Sequence, residues 1–526
     1  IRAINDFPLD APIKLPSGIL FTTYATLRSE RADKGSRIDQ ILAWLAGEDE
    51  GAFDGVIVFD ESHALANAAG SETARSLIKG SEQGIAGVRL QHRLPRARVL
   101  YVSATGATEI ANLAYATRLG LWGAGTAFGD REAFMQAMRD GGIAAMELVA
   151  RDLKALGFYT ARALSYQGIE YDILEHRLAD DQIAVYDRFC DAWEIIHQNL
   201  EQVLADTNVN DAITGATLNG QARGAALSKF ESAKQRFFAQ VLTAMKLPSL
   251  IPAIDADLAA GHSVVIQLVS TAEAMLDRRV ADLTPEERAE LDIDLSPREL
   301  VIDYLTNAFP VILMEPYTDE EGNNRSRVCV DKAGNPVISA DAVAVRDGLI
   351  EELCALPVVH AALDALIRHY GPDMVAEITG RSHRLVPQRD GSQKLETRSP
   401  RANLAETQAF MDGTKRILIF SDAGGTGRSY HADLSARNQQ RRIHYLLEPG
   451  WRADAAIQGL GRSHRTHQAS APLFRPVTTD VKGEKRFIST IARRLDSLGA
   501  LTRGQRQTGG QNLFDAADNL ESAHAK

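Results

Sequence analysis

Cysteine is scarce in this chain of 526 residues: Cys190, Cys329 and Cys354 stand far apart. Three scattered thiols without metal-ligand spacing exclude a disulfide scaffold and a zinc site, and fit a reducing, cytoplasmic compartment. Long apolar runs are missing too. No stretch approaches the roughly 20 residues that span a bilayer, and the first residues are not a signal peptide, so no membrane partner is expected. No Asn/Asp-Pro-Pro-Tyr/Phe occurs, so these residues hold no adenine-methyltransferase motif. The chain opens at Ile1 in what reads as mid-domain sequence, and is expected to be a piece of a longer polypeptide.

What is present is ordinary in bulk and uneven in place. Hydrophobic residues at 45% and charged residues at 24% are those of a globular protein. The length exceeds one core and suits about three domains. Net charge is −11, yet Asp412 to Arg506 holds 17 Lys and Arg against 8 Asp and Glu. A basic groove on an acidic body gives that asymmetry, and so does a solvated basic face.

Two stretches carry chemistry. Near the C-terminus the strand Ile417 to Phe420 runs into Ser421-Asp422-Ala423-Gly424-Gly425-Thr426-Gly427-Arg428. Closely spaced glycines let a backbone approach a phosphate or a nucleic-acid chain. After a second strand, Arg442 to Leu447, comes Gln458-Gly459-Leu460-Gly461-Arg462-Ser463-His464-Arg465. Arg462 and Arg465 are three apart, so a helix puts both on one face, toward a single anion. Near the N-terminus the apolar run Val56 to Phe59 ends in Asp60-Glu61-Ser62-His63. An apolar strand with two carboxylates at its tip suits nucleotide chemistry: Asp60 for the Mg²⁺ of a bound nucleotide, Glu61 to polarise water. Such acidic pairs also arise as helix N-caps.

The segments resemble motifs V and VI of superfamily 2 helicases and translocases, and Asp60 to His63 resembles their Asp-Glu-x-His motif II. The wording Ser421 to Ser429 with His431-Ala432-Asp433, and Ala376-Glu377-Ile378-Thr379-Gly380-Arg381, resembles the strawberry-notch group. The resemblance implies ATP and Mg²⁺, with Gly425, Gly427, Asp60, Glu61, Arg462 and Arg465 at the nucleotide. It implies catalytic roles for Asp60, Glu61, His63, Gln458, Arg462 and Arg465. Val99 to Val102, ending in Ser103-Ala104-Thr105, matches motif III, so Ser103 and Thr105 are expected to couple the lobes. Thr22, Thr23, Tyr24, Gly424, Thr426 and Arg428 are expected on nucleic acid, with DNA favoured. The Thr22–Tyr24 stretch also suits a strand-to-helix turn with a Thr cap. Bacterial relatives are often joined to an adenine methyltransferase, so a fused or adjacent one is expected. The family's first motif, Gly-x-x-x-x-Gly-Lys-Ser/Thr, occurs nowhere here and is expected upstream of Ile1; a degenerate site is the other explanation.

The expected fold is α/β with two RecA-like lobes. An incomplete first lobe covers 1–128 and a helical arm 129–247. The second lobe covers 248–475, with an insertion at about 275–400 that includes a small hairpin. A basic extension covers 476–526. Within the insertion, Ser382 to Arg401 reads as a mobile loop offering Arg381, Arg384 and Arg398 to phosphates. Trp451 suits either core packing or base stacking.

Overall fold

The computed structural model describes residues 1–485 except 32–34, 48, 50–52, 67, 69–70, 74–75, 79, 104–112, 114, 161–168, 212–216, 219, 274–275, 278–295, 319–323, 354–355, 388–392, 400, 422–426 and 451–452. Two compact units emerge. Among the described residues, the first comprises those of 1–165 and 453–458, and the second those of 166–450 and 459–485.

In the first unit, strand β1 (Val56–Phe59) pairs in parallel with β2 (Arg98–Tyr101), Val56 opposite Arg98 and Phe59 opposite Tyr101. The alternation of a strand puts Phe59 in the core, with Ile57 packed against it. Val56, Val58 and Leu100 face the other way and are more than half exposed. Short helix α1 (Tyr24–Leu27) begins with the Thr23 hydroxyl accepting from the Thr26 amide. Helix α2 (Arg37–Ala46) is capped in the same manner by Ser36, and α3 (Glu82–Arg93) by Ser81. Each cap satisfies an amide that the first turn leaves open. Helix α4 (Arg131–Ala155) breaks its geometry at Gly142, whose φ of 54° suits glycine, and contributes Phe134, Met135, Met138 and Leu153 to the same core.

The second unit is built on a parallel sheet. In chain order its strands are β3 (Leu174–His176), β4 (Ser263–Gln267), β5 (Val375–Ile378), β6 (Ile417–Phe420), β7 (Arg442–Leu446) and β8 (Leu473–Thr479). They lie side by side as β3-β8-β7-β4-β6-β5, and the pair Glu170–Tyr171 also runs beside β8. Burial is complete along β4, β5, β6 and β7. The reason is in the alternation: Val264 and Ile266 face one cluster, with Leu250, Ile254 and Leu366, while Val265 faces another, with Phe410, Phe420 and Tyr430. A sheet covered on both faces needs such continuous apolar strands. Helices α5 (Asp180–Asp206), α6 (Gly220–Met245), α7 (Leu247–Ala259), α8 (Arg298–Asn307), α9 (Ala340–Leu353), α10 (Ala362–Tyr370), α11 (Ala402–Asp412) and α12 (Ala453–Ser463) complete the elements used below.

The helical arm differs from its sequence reading in two respects. Helices α5 and α6 do not stand alone: Phe189, Trp193, Phe230 and Phe237 share one core with Val301 and Tyr304 of α8 and Leu349 of α9. Strand β3, inside the stretch read as helical, joins the sheet through β8. Three residues are too short for periodicity to announce a strand. The hairpin expected in the insertion is Met314–Thr318 paired with Asn324–Val328. Among the described residues no single helix is long and apolar enough to cross a membrane, although α6 and α7, bent by 49°, would qualify together by length and composition.

Candidate functional site

The acidic tip sits where β1 ends. The Ser62 amide donates to the Val102 carbonyl at 2.8 Å, and the Val102 amide to the Phe59 carbonyl at 2.9 Å, so the parallel pairing continues past both strands. That continuation sets His63 beside Ser103, with Nδ1 and Oγ 3.1 Å apart. His63 Nδ1 also lies 3.4 Å from Glu61 Oε2. Glu61 adopts φ 49° and ψ 47°, a left-handed conformation that a residue with a β-carbon holds only when its surroundings enforce it. Enforcement comes from below: Ser62 is buried and shares a 3.1 Å hydrogen bond with the Tyr115 hydroxyl. Gly84 of α3 packs so closely under the turn that an added β-carbon would meet Ala68 Cα and Leu65 O, each at 2.7 Å. Asp60 and Glu61 are themselves exposed. Gln458, which groups with this first unit, donates from Nε2 to Glu61 Oε2 at 3.4 Å and lies as far from His63 Nε2.

Tyr24 is where the sequence reading missed a role. Its ring stacks on Phe59, and its hydroxyl donates to the Asp60 carbonyl at 2.6 Å. Burial pushes its pKa up, so it stays a donor. Thr23 serves as the cap of α1, the local alternative weighed for it, and the Thr22 hydroxyl donates to the Thr23 carbonyl at 3.3 Å. Nothing in residue spacing announces a contact between positions 24 and 60.

The second unit carries the arginines. The sequence reading put Arg462 and Arg465 on one helical face, but α12 ends at Ser463. Its last turn is taken over by other elements: the Tyr430 amide donates to the Arg462 carbonyl at 2.7 Å, and Ser463 Oγ bonds His444 Nδ1 at 2.6 Å. The two side chains therefore differ. Arg462 is buried, its guanidinium over the Phe420 ring and Nη1 donating to the Arg428 carbonyl at 3.2 Å. Arg465 lies beyond the helix and is exposed. Gly427 has φ 73°, the left-handed turn for which glycine is suited. Arg428 Nη1 donates to the Asn403 carbonyl at 3.2 Å and to Thr407 Oγ1 at 3.3 Å, anchoring that loop to α11. Thr105, Gly424, Gly425, Thr426 and Trp451 lie outside the described residues, as does the tail beyond Lys485.

Arg381, Arg384 and Arg398 correct their expectation. The stretch read as a loop includes the hairpin His383–Pro387 with Gln393–Thr397, and all three arginines are buried. The cause is Glu377, which is fully buried on β5. Its Oε1 accepts from Arg381 Nε at 2.9 Å and Arg398 Nη1 at 3.4 Å, while Arg384 pairs with Glu396. A buried carboxylate needs partners of opposite sign, and these arginines supply them.

A helix-flanked parallel sheet followed by an arginine segment in one unit, and a parallel strand pair ending in an acid pair in the other, are those of the helicase-like P-loop NTPases of superfamily 2. Residues 1–188 match the domain described as P-loop containing NTP hydrolase pore-1, and residues 361–526 the C-terminal domain on Strawberry notch homologue. The chain is 35% identical to protein strawberry notch homolog 1 of Rattus norvegicus, over 93% of the chain and 43% of that protein. It is 31% identical to protein FORGETTER 1 of Arabidopsis thaliana, over 100% of the chain and 48% of the relative. With protein strawberry notch of Drosophila melanogaster the identity is 26%, over 96% and 44%. The chain belongs to the strawberry-notch family. It spans less than half the length of these three relatives.

Proposed function

We propose that this chain is the motor region of an ATP-dependent DNA translocase or helicase. The observation that carries the reading is the acidic tip. Exposed Asp60 and Glu61 project from the end of a parallel strand, and His63 bonds from beside them to Ser103 of the next. Two carboxylates so placed suit a nucleotide better than a structural cap, because neither serves as a side-chain cap for the turn that follows.

The donor set fits Mg²⁺ arriving with its nucleotide. Among the described residues no cluster of three or more His, Cys, Asp or Glu could hold a metal alone. One carboxylate plus phosphate oxygens and water is the usual magnesium arrangement, with Asp60 here as the protein ligand. Bound there, the ion would neutralise charge on the phosphates. Glu61 would orient the attacking water, and His63 and Gln458 would hold Glu61. Arg465, which is exposed, would supply the charge that stabilises the departing phosphate. Opening and closing of two lobes around nucleotide is the general route from hydrolysis to movement. Contacts to DNA would fall on phosphates and be independent of base sequence; the basic balance of 412–506 supports this.

The test is DNA-stimulated ATP hydrolysis by the full-length polypeptide, with Glu61→Gln beside it. Loss of about 10²- to 10⁴-fold in turnover is expected for an orienting base. Arg465→Ala should cost on the order of 10³-fold or more. Hydrolysis indifferent to Glu61→Gln would remove the assignment. DNA binding without hydrolysis would make the protein a scaffold.

A further inference from the structure

The segment just past α12 is held in a way that the reading above does not use. Asp433, in the loop between β6 and β7, collects four donors. Oδ1 accepts from the Ser435 amide at 2.7 Å and the Ser435 hydroxyl at 2.6 Å, and lies 3.2 Å from His467 Nδ1. Oδ2 lies 3.1 Å from His431 Nε2. The backbone repeats the connection: the Leu434 amide donates to the His467 carbonyl at 3.1 Å, and the Ala469 amide to the Ala432 carbonyl at 2.7 Å. Asp433 and Gln468 form an isolated antiparallel bridge.

The gripped stretch then closes on itself. Gln468 Oε1 accepts from the Arg465 amide at 3.2 Å, and its Nε2 lies 3.1 Å from His464 Nδ1. His467 has φ 65°, a left-handed conformation that a non-glycine residue keeps only when its neighbours impose it. Arg465 thus stands at the exposed end of a five-residue loop, with buried His464 at one foot and bridged Gln468 at the other.

We propose that Asp433 is a positioning residue for Arg465: its carboxylate, by gripping His467, fixes the loop that presents the guanidinium to the nucleotide. Asp433 itself touches no substrate. A free five-residue loop would place a long arginine over many positions, and catalysis by charge depends on placing it beforehand. The inference rests on the reading that Arg465 acts on nucleotide.

The experiment uses the full-length polypeptide carrying Asp433→Ala, Arg465→Ala, both together, or His467→Ala. Two quantities are read: steady-state ATP hydrolysis, and hydrogen exchange of the peptide covering residues 464–469. Asp433→Ala and His467→Ala should speed exchange in that peptide. Each should lower kcat by on the order of 10-fold with KM little changed, as expected for an interaction made in the transition state. In the Arg465→Ala background, Asp433→Ala should have no further effect on kcat, since the residue it positions is gone. His467→Ala removes a largely exposed ring, so it keeps the test alive if Asp433→Ala fails to fold. Unchanged exchange, or multiplicative losses in the double variant, would overturn the proposal. A wild-type protein that does not hydrolyse ATP, or an Arg465→Ala variant as fast as wild type, would instead overturn the role of Arg465. The exchange measurement would still decide whether Asp433 grips the loop.

Discussion

His63 Nδ1 and Ser103 Oγ, 40 positions apart in the chain, lie 3.1 Å from each other just past the ends of two neighbouring parallel strands. No local pattern in the sequence announces this contact. The pairing of β1 with β2 brings them together, so a change at either strand end is felt at the other. Ser103→Ala removes the link while leaving both backbones intact. A hydrogen bond of this kind is worth about 0.5–1.5 kcal/mol, or roughly 2- to 10-fold. On the translocase reading proposed above, Ser103→Ala should lower the distance moved along DNA per ATP hydrolysed. A tracking assay run beside a phosphate-release assay measures the ratio, and an unchanged ratio would remove the coupling role.

A second expectation concerns the packing beneath the acidic tip. Gly84 lies on α3 directly under the turn that contains His63, and its missing β-carbon is the reason the two can touch. The atoms it would meet are backbone, which cannot rotate away as a side-chain end can. Gly84→Ala should therefore destabilise the first unit by about 1–3 kcal/mol, the usual range for overpacking. It should also reduce hydrolysis by displacing Glu61 and His63. Lower melting temperature together with lower turnover is the expected pair of results; full stability would show that the turn can shift without cost.

Much of this was legible beforehand because the chemistry is local. Ile417–Phe420 is an unbroken apolar run because both faces of its strand are buried, and its limits in sequence and structure coincide. Asp60 and Glu61 could be found because they directly follow such a run. What could not be read are relations set by tertiary packing. Arg381 and Arg398 look like surface cations until Glu377, fully buried on its strand, is seen to need them. The bond from the Tyr24 hydroxyl to the Asp60 carbonyl spans 36 positions, and no local pattern announces it. The end of α12 at Ser463 depends on His444, a residue in another strand. Helical spacing of Arg462 and Arg465 was a sound argument from period alone, and a tertiary contact overrode it.

The buried arginine cluster yields a third expectation. Burial alone would push the Glu377 carboxyl up, but the adjoining Arg381 charge, with Arg398 and Thr379, brings it down to about 2. Glu377→Ala would leave Arg381 with Asp364 alone and Arg398 with neutral partners. Breaking a buried pair from one side costs about 3–5 kcal/mol, because the remaining charge stays desolvated. Urea unfolding should show that loss in the second unit, and Glu377→Gln should lose less of the packing but most of the charge compensation. A Glu377→Ala protein as stable as wild type would mean the arginines can reach water.

The last expectation is a pH dependence with a definite sign. His444 is fully buried between Phe420 and Phe474, and burial, reinforced by the nearby Arg462 charge, lowers its pKa to about 3. His444 Nδ1 and Ser463 Oγ share a hydrogen bond of 2.6 Å, and Ser463 Oγ also lies 3.1 Å from the Leu460 carbonyl. The ring is held neutral, and Nε2 has no hydrogen-bond partner among the described residues. In the unfolded chain the same ring titrates near about 6.5. Between those values the unfolded state binds a proton that the folded state refuses. Stability must then fall as pH drops below about 6.5, by up to about 1.4 kcal/mol per pH unit from this group, and level off near the folded value. His431, whose pKa is also lowered by burial, adds a contribution of the same sign. Unfolding free energies measured from pH 7.5 to 4.5 should show a slope that His444→Gln reduces, whatever that variant loses at neutral pH. Equal slopes in the two proteins would mean that His444 takes up its proton without unfolding.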